Sequence, residues 1–100
     1  MVRHVILWKL KEMPAAEQGT VKADIKAGLE GLAGQIPCLT EIHVYTKALP
    51  SSANADLMLD TTFVDEAALK GYAVHPAHVA VADGKVRPYT AVRTCLDFEV

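Results

Sequence analysis

Val2-Arg3-His4-Val5-Ile6-Leu7-Trp8-Lys9-Leu10 reads as a β-strand with large apolar groups on both faces. Side chains alternate along a strand, so His4, Ile6, Trp8 and Leu10 point one way and Arg3, Val5, Leu7 and Lys9 the other. A strand with one wet face alternates more cleanly between apolar and polar. This strand therefore has to be covered on both sides, and that requirement decides the architecture once its neighbours are read.

Downstream, Pro14 suits an early helical position. Val21, Ile25, Leu29, Leu32 and Ile36 recur at steps of four, four, three and four. They form one face of an amphipathic helix, with Lys22, Lys26 and Glu30 on the wet side. Gly28 and Gly31 weaken that helix by up to about 1 kcal/mol each relative to Ala. Gly34 is a C-terminal stop, followed by Pro37.

Residues 39–48 read as a second strand, with Ile42 and Val44 opposite His43 and Tyr45. Pro50-Ser51-Ser52-Ala53-Asn54 is a turn or exposed loop. Residues 56–64 form a third strand, with Leu57, Leu59, Thr61 and Phe63 opposite Met58. Asp65 caps a helix running to about Tyr72, and Val64 can staple to Leu69 across that cap. His75-Pro76 starts a further short helix that ends near Gly84. Residues 89–98 form the last strand, with Val92, Leu96 and Phe98 opposite Ala91, Arg93 and Cys95.

The order β-α-β-β-α-β is the ferredoxin-like split pattern of the α+β class, with a four-stranded antiparallel sheet. The 100 residues make a single domain, 1–100. Helices cover one face of such a sheet. The other face, carrying His4, Ile6, Trp8 and Leu10 or their alternates, is unfavourable in water at about 25 cal/mol per Å2. No spare element remains to cover it. A second copy of the chain is the simplest lid, so a homodimer is expected.

The composition is 51% hydrophobic and 22% charged, which is globular and not disordered. Ten basic residues against twelve acidic ones give a formal charge of -2, so no basic excess supports a nucleic-acid partner. The first apolar run is too short for a secretory core, and nothing approaches a membrane span. Cys38 and Cys95 have no CxxC or metal-ligand spacing. They read as reduced, buried thiols, which points to a cytoplasmic protein.

Tyr72-Ala73-Val74-His75-Pro76-Ala77-His78 places a phenol and two imidazoles within seven residues. With Pro76 as first helical residue, His78 lies in the first turn, where the macrodipole disfavours imidazolium. A neutral imidazole near pH 7 is a usable base. The alternative is a histidine that only locks the helix to the sheet. Tyr72 can orient His78 or be a core tyrosine with a satisfied hydroxyl. His75 is pushed toward an extended backbone by Pro76 and shapes the turn. Neither the HxxH spacing nor any neighbouring Cys or carboxylate supports a metal site, and no phosphate loop is present, so no metal and no cofactor are expected. Asp56, Asp60, Lys9, Lys11 and Arg93 read as solvated charges.

The element order, the opening Val2-Arg3-His4-Val5-Ile6-Leu7-Trp8-Lys9-Leu10-Lys11 and the segment from Phe63 to His78 together resemble the stress-responsive dimeric α/β-barrel (Dabb) family. The resemblance covers nearly the whole chain. It implies two sheets packed face to face as a barrel, with a cavity in each protomer. The family contains a plant polyketide cyclase that performs an aldol condensation. Its acid/base histidine matches His78, its motif tyrosine Tyr72 and its first-strand histidine His4. A third cavity histidine of the cyclase falls at Leu57, and a tyrosine of its first helix near Ala27.

Two functions follow. One is a small-molecule protein with His78 and Tyr72 catalytic and His4, Trp8, Leu57 and His75 facing a carbonyl or aromatic ligand, using cofactor-free proton transfer. The other is a non-catalytic, stress-associated structural or oligomer-forming protein. A cavity filled by Leu57, Trp8 and Phe63 favours the second, and an open one beside His78 favours the first.

Overall fold

A computed structural model describes all residues, 1–100. Strand β1 spans Val2–Leu10, helix α1 Ala15–Glu30, β2 Leu39–Tyr45, β3 Leu57–Phe63, α2 Glu66–Val74, α3 Pro76–Val81 and β4 Thr90–Glu99. A π-helical turn, Ala82–Val86, and a 3-10 turn, Arg87–Tyr89, connect α3 to β4. The strands lie in the order β2-β3-β1-β4, each pair antiparallel. This is the expected ferredoxin-like β-α-β-β-α-β fold.

The two faces of β1 can now be told apart. His4, Ile6, Trp8 and Leu10 are buried beneath the helices, together with Leu57, Leu59, Thr61 and Phe63 of β3 and Ile42 and Val44 of β2. Val21, Ile25 and Leu29 of α1 pack into the same cluster, as do Tyr72 and Val86. The open face is therefore the alternate set. Val5 lies opposite Leu96 and Asp60, Leu7 opposite Thr94 and Met58, and Lys9 opposite Val92. Leu7, Tyr45, Val92 and Leu96 are exposed there. On this face Arg3 pairs with Asp60, and its guanidinium sits 5.8 Å from the centroid of the Phe98 ring.

α1 stops six residues before its apolar periodicity does. Leu32 and Ile36 stay buried, but in a series of tight turns after Gly31. Gly34 takes φ +80°, a left-handed conformation that reverses the chain toward β2 and that glycine adopts without a Cβ penalty. Gly28 has a packing reason instead. A Cβ there would meet Val81 Cγ1 at 3.0 Å and Lys85 Cδ at 3.1 Å, so glycine lets α1 approach α3 and the π turn.

β2 is an edge strand, yet near its C-terminal end it is not open. Val44 N–H donates to Glu30 Oε2 at 2.9 Å, and Lys26 Nζ donates to the Val44 carbonyl at 2.8 Å. Lys26 and Glu30 also pair with each other at 2.8 Å. Burial alone would raise the Glu30 pKa, but these two partners outweigh it and hold the carboxyl below its ordinary value.

Four side chains depart from their sequence expectation. Asp60 is not a solvated charge, because Arg3 reaches it across the strand pair. Asp56 accepts the Leu10 N–H at 2.7 Å and closes the end of β1. The two cysteines are free but exposed, not buried. Cys38 occupies a left-handed position, φ 63°, on the surface turn before β2. Cys95 lies on the inner face of β4, beyond the reach of the helices. No helix is long and apolar enough to cross a membrane.

Candidate functional site

Asp65 starts α2 by accepting the Ala68 N–H at 2.8 Å, which aims Tyr72 inward about two turns later. His75 then breaks the helix. It holds an extended backbone, φ -65° and ψ 132°, as a residue before proline must. Its Nδ1 accepts the Ala77 N–H at 3.1 Å and so caps α3. Pro76 follows as the first residue of α3, and His78 is carried back over the Tyr72 ring.

Between this helical corner and the sheet lies a cavity of about 180 Å3. Its walls include His4, Trp8, Tyr72, His78, Arg87 and Arg93. The Tyr72 and His78 ring centroids are 4.1 Å apart, and His4 stands 6.2 Å from Tyr72 on the other side, edge to face. Phe63 backs the tyrosine at 5.0 Å.

The three polar groups differ in how they are held. His78 Nδ1–H donates to the Ala73 carbonyl at 3.3 Å, since a carbonyl can only accept. That bond fixes the tautomer and leaves Nε2 with a free lone pair. Burial lowers the His78 pKa, and the nearby Arg87 and His4 add to the effect against the opposing Ala73 carbonyl and Asp83. His4 is hydrogen-bonded through Nδ1 to Asp97, its cross-strand partner on β4. Tyr72 is 2% exposed, and its hydroxyl has no hydrogen-bond partner. Burial pushes its pKa far above that of a free phenol, so it is a proton donor throughout the physiological range.

The structure thus brings Tyr72, His78, His4 and Trp8 to one cavity. Tyr72 does not orient His78 by a hydrogen bond; the Ala73 carbonyl does. Leu57 and His75 are not among the cavity walls. Leu57 lies opposite Trp8 on β3 but at the far end of the core, beside Tyr45 and Ala48. His75 is spent on the helix cap. Ala27 is exposed on α1. Arg87, Arg93 and Val86 complete the walls from the turns before β4 and from β4 itself, where the sequence carries no motif.

The model of the stress-responsive A/B barrel domain matches residues 2–100, and the chain belongs to that family. Among solved structures it is similar to a dimeric protein of unknown function with a ferredoxin-like fold from Bacteroides fragilis. That protein is 29% identical, with a TM-score of 0.91 over 99% of this chain and 95% of the other. A dimeric ferredoxin-like protein of unknown function from Jannaschia is 26% identical, with a TM-score of 0.80 over 99% and 98% of the two chains. A hydroxynitrile lyase from Passiflora edulis shares the fold at 19% identity and a TM-score of 0.72, over 97% and 90% of the chains. No curated protein matches the chain.

Proposed function

We propose that this protein binds a small carbonyl or single-ring aromatic compound in the cavity between the sheet and α2–α3, and moves a proton on it without a cofactor. The observation that carries this reading is the Tyr72 hydroxyl, a buried donor with no partner in the protein, set beside the His78 ring. An unsatisfied buried hydroxyl costs about 1–3 kcal/mol, a penalty that a ligand oxygen in the cavity removes. Size agrees with the chemistry. Apolar cavities of about 150 Å3 admit benzene, and this one measures about 180 Å3.

In the bound state the Tyr72 O–H donates to the ligand's carbonyl oxygen. His78 Nε2 takes a proton from the adjacent carbon, and the developing enolate charge rests on the oxygen that Tyr72 holds. The proton then returns from His78 to carbon, so nothing is consumed. Arg93 brings positive charge to the wall and favours that oxyanion, while the guanidinium of Arg87 is paired with Asp83. A protomer of this kind works as half of a homodimer, with the open sheet faces packed on each other.

The test is a panel of single-ring ketones and aldehydes, screened by NMR in deuterated buffer. Binders should shift the Tyr72 and His78 signals, and ketones bearing an acidic C–H should take up deuterium faster than in buffer alone. His78→Ala should stop the uptake. A panel with no binder at millimolar concentration would turn the reading toward a non-catalytic barrel.

A further inference from the structure

We propose that His4, Cys95 and Asp97 bind a zinc-class divalent cation at the β4 edge of the sheet, on its helix-side face. The antiparallel register builds this cluster, with Asp97 opposite His4 and Cys95 opposite Ile6 on the same face. The three residues are remote in sequence from any metal-binding spacing and meet only because β1 and β4 pair.

The ligand atoms already approximate one face of a coordination tetrahedron. Ligand atoms on a tetrahedral zinc ion, at metal distances of about 2.0–2.3 Å, stand about 3.3–3.6 Å apart. Cys95 Sγ lies 3.7 Å from His4 Nδ1 and 3.4 Å from Asp97 Oδ1. The remaining edge is the direct His4–Asp97 hydrogen bond, which is shorter than two ligands of one ion allow. The Asp97 side chain is 45% exposed, so a χ1 rotation in solvent opens that edge. Imidazole, thiolate and carboxylate together are a donor set suited to zinc, and three protein ligands leave a fourth position for water.

Protons balance simply. The cation displaces the Cys95 thiol proton to solvent. His4 gives up its Nδ1 proton and, as a neutral ring, carries its proton on Nε2. The cation binds outside the cavity, and its binding stands whether or not the cavity turns over a carbonyl compound.

The test uses the intact chain stripped with chelator and titrated with Zn(II) or Co(II) alone, with no organic ligand. One cation per chain is expected, with a melting temperature that climbs with zinc concentration. Co(II) should give the near-ultraviolet charge-transfer band of a thiolate ligand. Cys95→Ser should abolish the band and weaken zinc binding more than tenfold, Asp97→Asn should weaken it, and His75→Gln should leave it intact. On the parent protein, the Nδ1 nitrogen resonance of His4 should move to its metal-bound position, a readout independent of whether any variant folds. Absence of a stoichiometric cation, a cobalt spectrum without the thiolate band, or a His4 resonance that zinc does not move would each overturn the proposal. So would full affinity in a folded Cys95→Ser variant.

Discussion

Tyr72 and His78 lie ring against ring, tilted by 37° with 4.1 Å between centroids, yet no hydrogen bond joins them. The imidazole is anchored to the Ala73 carbonyl, and the phenol O–H is buried and left unmatched. Each ring holds the other in place by packing, and each keeps one polar atom free. Such a pair is ready for a third participant that supplies an acceptor to one ring and a proton to the other.

The unmatched hydroxyl makes an unusual stability prediction. Tyr72→Phe should leave the ligand-free protein as stable as the parent or up to about 1 kcal/mol more stable, because a buried unsatisfied group disappears while the ring stays. A buried tyrosine with a bonded hydroxyl would behave oppositely. Chemical denaturation of both proteins reads this directly. The same variant should bind the carbonyl compounds of the screen more weakly.

His78 predicts an acid-sensitive fold. Its native pKa lies below the unfolded value of about 6.5, chiefly through burial. Between the two values the unfolded chain holds the extra proton, so stability rises with pH across that window. The contribution is complete above about pH 6.5 and is lost as pH falls below it. Melting temperatures from about pH 5 to 8 should fall less steeply on the acid side for His78→Gln than for the parent. Equal slopes would mean that His78 is solvated in the native state.

The open sheet face predicts the assembly. Leu7, two residues along β1 from Val5, and Leu96, opposite Val5 on β4, stand on its surface in the single chain. Light scattering should give twice the 10.8 kDa chain mass for the parent. Leu96→Asp, which puts a charge into an apolar contact, should return the mass to that of one chain. A parent that stays monomeric at micromolar concentration would contradict the packed-face arrangement.

Gly28 predicts a packing limit between α1 and α3. Gly28→Val should destabilise by about 1–3 kcal/mol through overpacking, since even a methyl group would press on Val81 and Lys85. Gly19, with open space around it, is the control: Gly19→Ala should gain up to about 1 kcal/mol from helix propensity. Thermal melts of the two variants should move in opposite directions.

Much of this was legible before any coordinates. The alternation of β1, the steps of α1 and the Asp65 cap are local signals, and the fold follows from them. The pairing of Tyr72 with His78 was visible because only five residues, one of them a proline, separate them. The face of β1 that the helices take was not, since both faces carry large apolar groups and packing chooses between them. The His4–Cys95–Asp97 cluster was hidden for a different reason. A strand pair more than 80 residues apart in sequence sets it, and a shift of one residue would turn every β4 side chain to the other face. Arg87 and Arg93 sit in and after irregular turns that no periodicity marks.

Lys26 and Glu30 have a consequence beyond the α1–β2 contact they make. A bare β-strand at the margin of a sheet is a template on which another chain can grow. By occupying both the N–H and the carbonyl of Val44, α1 takes away the docking points such growth needs near the end of the strand. Crowded copies of this protein are thereby steered from open-ended stacking toward a closed pair, and Glu30→Ala should be the variant that forms fibrils.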